Sequence, residues 1–110
     1  HEINVEDQNS IKESFGKIKK KFDVIIDDST HIFDHQINII YNTMDYINEN
    51  GILIIEDIYK YRKDYEEKHY YSKIVPIKEN FKNIFFIETP HINNFTASWK
   101  NEKILLLIKK

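Results

Sequence analysis

Two pairs of adjacent carboxylates, Asp27 with Asp28 and Glu56 with Asp57, each close an apolar run, and His31 follows the first pair by three residues. Carboxylates held together repel one another and resist ionisation, so a cation is the simplest partner that keeps all of them charged. Hard oxygen donors favour Mg²⁺, with Mn²⁺ or Ca²⁺ as substitutes. A neutral histidine beside such an ion can act as a general base, and a hydroxyl near the cation gives up its proton more readily. The chemistry on offer is therefore deprotonation of a hydroxyl beside a divalent metal. Taken singly, these residues have plainer explanations. Acids at strand ends are commonly solvated or cap the next helix, and a lone histidine commonly starts a helix or fills a hydrogen bond. The repetition of the acidic pair across one connection, with the histidine between, points to a site. Hydrolysis on the same carboxylates stays open as an alternative.

For the two pairs to meet, their apolar runs must end on the same edge of one sheet. Residues 22–28 (FDVIIDD) are apolar and β-branched without polar alternation, which predicts a central parallel strand covered on both faces. Phe33, Ile37, Ile40, Met44 and Ile47 then step by four, three, four and three, predicting one helix with Gly51 as its C-terminal stop. Residues 52–55 predict a second strand. So long a connection makes a right-handed crossover, with parallel strands and both acidic pairs at the carboxyl ends. Ligands bind there in open α/β sheets. Within the helix, His35 and Gln36 divide between packing and support of the ligands, while Asp23 is expected at the strand-entry surface.

Upstream, Ser10 and Glu13 make a capping box for a short helix with Ile11, Phe15 and Ile18 on one face, ending in Lys19, Lys20 and Lys21. Downstream, residues 58–73 lose any clean period and are rich in Tyr, Lys and Glu. They are expected to form a partly helical, mobile or substrate-covering excursion. Its aromatic residues are expected to be core or lid. Residues 83–88 and 103–109 predict an antiparallel edge pair of strands, joined by a polar loop at 90–101 that carries Trp99.

The chain has 110 residues, 41% hydrophobic and 31% charged, as expected for one globular domain or a piece of one. A formal charge of −2 gives no basic footprint for nucleic acid. The longest apolar run, residues 104–108, is too short to cross a bilayer, and no signal-peptide pattern opens the chain. Without cysteine there is neither a disulfide nor a thiolate metal site. A cytoplasmic protein with no nucleic-acid or membrane partner is expected, and a homo-oligomer is compatible with the sequence.

The pattern FDVIIDDSTHIFDHQ followed by GILIIEDIY resembles a class I S-adenosylmethionine-dependent methyltransferase family that includes macrocin O-methyltransferases and cephalosporin hydroxylase-like proteins. That family has an Asp-Asp-Gly-Ser-His turn after its fourth strand and a Glu-Asp pair after its fifth. The resemblance implies Asp28, Glu56 and Asp57 as Mg²⁺ (or Mn²⁺) ligands and His31 as the base. It extends more weakly to VEDQN, which looks like the turn after the third strand. Asp7 would then contact the adenine of the cofactor with Gln8 beside it, and Asp27 is the third residue assigned to the cofactor. Ser29 and Thr30 stand where Gly-Ser is usual.

The glycine-rich loop of the family is absent, Gly16 and Gly51 being the only glycines. Ile3 and Val5 read as the tail of a strand. The expectation is thus an α/β chain forming the C-terminal half of a Rossmann-like methyltransferase domain, with parallel strands and an antiparallel C-terminal strand pair. Residues 1–110 would be a partial domain, inactive alone. The implied function is metal-dependent transfer of a methyl group from S-adenosylmethionine to a hydroxyl of a small, sugar-containing substrate. The alternative is a non-catalytic remnant kept as a metal-binding or structural module.

Overall fold

The strand expected at residues 22–28 forms as β1 (Phe22–Asp27), and the helix after it as α1 (Phe33–Thr43). The computed structural model describes residues 11, 13–15, 17, 20–28, 30–59, 62–88 and 103–110. The expectations for Ile3, Val5, Asp7, Gln8, Ser10, Ile18, Ser29 and the loop with Trp99 lie outside these residues. After α1 a 3-10 turn (Met44–Tyr46) leads into β2 (Ile47–Ile58). A 3-10 turn (Lys63–Tyr65), α2 (Glu67–Ile74) and a further 3-10 segment (Val75–Asn80) follow. β3 (Phe81–Glu88) and β4 (Lys103–Lys109) complete the order.

The four strands make one sheet in the order β1-β2-β4-β3. β1 and β2 are parallel, as a crossover through α1 requires, so Asp27 and Ile55 stand side by side. β4 runs antiparallel to both β2 and β3. The expected C-terminal antiparallel pair is present, but only β3 lies at an edge, because β4 is inserted between β2 and β3.

The helix is shorter than its apolar stripe. α1 ends at Thr43, where Asn42 and Thr43 turn their side chains back onto the Asn38 and Ile39 carbonyls at 2.8 and 2.7 Å. Met44 and Ile47 still face the core although they are no longer in the α-helix, so the stripe recorded burial rather than conformation. Gly51 is therefore not the helix stop. Phe22 opposes Ile47 while Val24 opposes Ile52, so residues 48–51 bulge from the ladder. A Cβ on Gly51 would meet the Asn48 carbonyl oxygen at 2.8 Å and that of Asp23 at 3.0 Å. Glycine is needed here for close backbone approach. Asn48 pins the bulge by donating to the exposed Asp23 carboxylate at 2.9 Å.

Strand register separates two unlike faces. Leu53, Ile55, Leu105 and Leu107 are fully buried in one core with Ile39 and Ile40 of α1 and Tyr70 and Ile74 of α2. The opposite face carries Ile26, Ile54, Leu106 and Phe85 in one cross-strand row. Of these, Ile26 is 55% exposed and Phe85 39% exposed. The expectation that both faces of β1 are covered is corrected: among the described residues, only one is.

The excursion after β2 is docked on the covered face. Tyr65, Tyr70, Ile74 and Ile77 are buried, and Phe33 packs edge-on against Tyr65 and Tyr70 with centroids 6.5 and 4.7 Å apart. Tyr41 donates to the Lys73 carbonyl at 2.5 Å, and the buried Lys103 ammonium donates to the Tyr65 carbonyl at 3.3 Å. Tyr65 and Tyr70 are core, as expected, whereas Tyr71 is exposed.

Candidate metal and base site

The site forms where β1 and β2 end. Asp28 follows β1 directly, and His31 occupies the turn into α1 with φ at 62°, in the left-handed region. Thr30 and His35 share a 2.7 Å hydrogen bond across that turn, so His35 serves the turn geometry. Asp57 also has a positive φ, 56°. The reason is local: Ile55 pairs with Leu105 and Ile58 with Lys103, so Glu56 and Asp57 together oppose a single residue of β4. Such a bulge re-aims side chains at a strand end. Two non-glycine residues in a strained conformation at one site are the usual mark of functional constraint.

The outcome is a cluster. One donor atom from each of Asp28, His31 and Asp57 lies within 4.8 Å of the others, with Asp28 exposed and the other two half-buried. His31 Nδ1 stands 3.6 Å from Asp57 Oδ2. That nitrogen is shielded from solvent and has no hydrogen-bond partner, a condition that a ligand or a proton relay would relieve.

Glu56 is not a member of the cluster but feels it. Its carboxyl is pushed above the ordinary carboxylate range by burial first, then by the charges of Asp28, Asp57 and Asp27, with His31 acting the other way. Mutual repulsion of this kind is what a bound divalent cation removes. Asp27 is buried, on the helix-covered side beside Ile55. The donor set suits a hard divalent ion, with Asp28 and Asp57 as oxygen ligands and Glu56 next in line.

Behind the strand ends lies a buried polar link that the sequence did not announce. Tyr70 donates to Gln36 Oε1 at 2.5 Å, and Gln36 Nε2 donates to the Glu56 carbonyl at 3.5 Å. Gln36 is 1% exposed and Tyr70 fully buried. Burial, and then the neighbouring Tyr65 and Asp27, drive the Tyr70 phenol well above its ordinary pKa. Gln36 was one of two helix residues expected to pack or to support the site. Tyr70 sits in a stretch without periodicity, and no spacing marked it. A shallow cavity of ≈ 210 Å³, lined by Phe33, Asp64, His69 and Lys73, includes none of the cluster residues.

The described geometry can be set beside known proteins. No family model matches the chain, and no curated protein matches it. Solved structures do. The MycE methyltransferase of the mycinamycin biosynthetic pathway, in complex with Mg, SAH and mycinamycin VI, superposes with a TM-score of 0.67 at 12% identity. Its complex with Mg and SAH gives 0.65 at 13% identity, and a second crystal form gives 0.61 at 12%. The chain has the fold of part of a methyltransferase. The match covers 99% of this chain and 31% of MycE, so the chain spans about a third of the MycE length. The α/β sheet with an antiparallel C-terminal pair is accordingly that of a portion of the MycE fold. Among the described residues, no helix is long and apolar enough to cross a membrane.

Proposed function

We propose that this chain is the metal-and-base part of a cytoplasmic, S-adenosylmethionine-dependent O-methyltransferase acting on a hydroxyl of a small, sugar-containing molecule. The observation that carries the proposal is the convergence of Asp28, His31 and Asp57, with His31 Nδ1 buried, 3.6 Å from Asp57 Oδ2 and without a hydrogen bond. The fold shared with MycE, a protein seen with Mg, SAH and mycinamycin VI, supports the same reading. Asp28 and Asp57, with Glu56, would hold Mg²⁺ or Mn²⁺. The ion supplies positive charge that orients the acceptor and lowers the pKa of its hydroxyl. His31 would take the hydroxyl proton at Nε2, while the Asp57 carboxylate, 3.6 Å from Nδ1, stabilises the imidazolium. The deprotonated oxygen would then be placed to take the methyl carbon of S-adenosylmethionine as its carbon–sulfur bond breaks, releasing SAH. Asp27, with Asp7 and Gln8, is assigned to the cofactor side.

In the same proposal, residues 1–110 are a partial domain whose glycine-rich half packs on the open apolar face of the sheet. The coverage of 31% of MycE and the exposure of Ile26 and Val24 support this. Mn²⁺ titration by calorimetry tests the metal claim directly. Saturable binding that weakens on Asp57→Asn is expected, and no uptake by the wild type would overturn it. In the polypeptide with its glycine-rich half, SAH release is expected to vanish on His31→Ala with cofactor affinity unchanged. Retained turnover would remove His31 as base, and metal uptake without any SAH release would leave a binding module.

A further inference from the structure

Asp57 reaches the cluster from a bulge in which its φ lies at 56°, and an L-residue held there costs roughly 1–2 kcal/mol. The dihedral is defined by the peptide plane joining Glu56 to Asp57, and the carbonyl oxygen of that plane belongs to Glu56. Relaxing the bulge to a regular ladder would return Asp57 to ordinary extended backbone and force either Asp57 or the buried Ile58 to project from the other side of the strand. One side chain reaches that oxygen from the helical layer: Gln36 Nε2, at 3.5 Å. The orientation of the Gln36 amide is itself settled by Tyr70, whose hydroxyl donates to Oε1 and so leaves the NH₂ group for Glu56. Both residues are buried, so water does not compete for these groups.

We propose that Gln36 is a positioning residue for the site, anchoring the Glu56 carbonyl and with it the bulge that carries the Asp57 carboxylate to the cluster, with Tyr70 locking the Gln36 amide. The excursion helix α2 is thereby coupled to the strand end through a single side chain. This rests on the metal reading for its functional consequence but not for its geometry. It also assigns Tyr70, a residue outside the motif, to the organisation of the site.

The test uses Gln36→Met, which keeps the length and removes both hydrogen bonds, and Tyr70→Phe, which keeps the ring and removes only the lock. Mn²⁺ affinity and the Asp57 backbone resonances, whose Cα shift and amide coupling report φ, are measured together with melting temperature. Gln36→Met is expected to shift the Asp57 resonances toward extended backbone and to weaken Mn²⁺ binding roughly tenfold, the effect typical of groups supporting a ligand. Tyr70→Phe should move both readouts in the same direction by less. A lower melting temperature with unchanged Asp57 resonances and Mn²⁺ affinity would overturn the proposal, since a merely structural role predicts that pattern. If Gln36→Met does not fold, Tyr70→Phe decides by the same two readouts. A wild type that takes up no Mn²⁺ removes the metal reading alone, and the Asp57 resonances still decide the positioning claim.

Discussion

The two faces of the sheet have similar side chains and opposite fates. Leu53, Ile55, Leu105 and Leu107 are sealed beneath α1 and α2, whereas Val24 and Ile26 on the other side are 51% and 55% exposed. Along β2 and β4 the sealed residues alternate with equally apolar ones of the other face, Ile52, Ile54, Ile104 and Leu106, so hydrophobicity alone does not say which is core. The helices decide. The comparison teaches that stability in this chain is one-sided, and that the uncovered side is prepared for cover it does not receive from the described residues.

Substitution on the sealed face should have the largest effect. Leu105→Ala removes a fully buried side chain at the centre of the sheet and is expected to cost about 2–5 kcal/mol. Urea unfolding measures this, and a loss below about 1 kcal/mol would show that the core collapses around the gap.

Tyr70→Phe should come next. It leaves Gln36 Oε1 buried without its donor, for a loss of about 1–2 kcal/mol near neutral pH. The pH dependence follows from the raised Tyr70 pKa. Below the ordinary tyrosine value of about 10, both folded and unfolded chains keep the phenol protonated, and its contribution is complete. As pH rises past that value the unfolded chain ionises and the folded one resists, so stability falls. Unfolding curves at about pH 9 and pH 11 should show a shallower alkaline decline in Tyr70→Phe than in the wild type.

What could be read in advance follows the same division. The parallel strand pair, the crossover helix and the meeting of the acidic ends were legible because each rests on periodicity and on handedness. The end of α1 was not, because the stripe from Phe33 to Ile47 reports which residues face the core and is blind to the change of backbone after Thr43. The two-sided burial expected for β1 was not, because an unalternating apolar strand is the same whether or not its second cover is present. At the site, Asp28, His31 and Asp57 were legible by spacing. The link through Gln36 and Tyr70 joins residues 20 and 34 apart in sequence, and the positive φ of Asp57 comes with a bulge against β4. No local pattern encodes those.

The site residues should respond unlike either face. His31→Gly relieves a left-handed conformation and removes an unpartnered buried nitrogen, so the metal-free protein should be more stable by about 0.5–1 kcal/mol. The same variant should lose the base function while Asp28, Asp57 and Glu56 still take up Mn²⁺. A clear loss of stability instead would show that the imidazole is a structural contact.

The smallest effect is expected on the open face, and it is the one that sharpens the contrast most. Ile26→Thr keeps the β-branch and the strand propensity while replacing the ethyl branch by a hydroxyl, at a position already half in water. In this chain the change should stay within about 0.5 kcal/mol. Placed in the longer polypeptide of the proposed domain, it should cost about 1–2 kcal/mol, because the hydroxyl would then be buried against an apolar layer without a partner. Equal and small effects in both settings would mean that the open face stays open and that the cofactor half packs elsewhere. A large effect in the short chain would mean that Ile26 is already covered, and the two faces would no longer differ in kind.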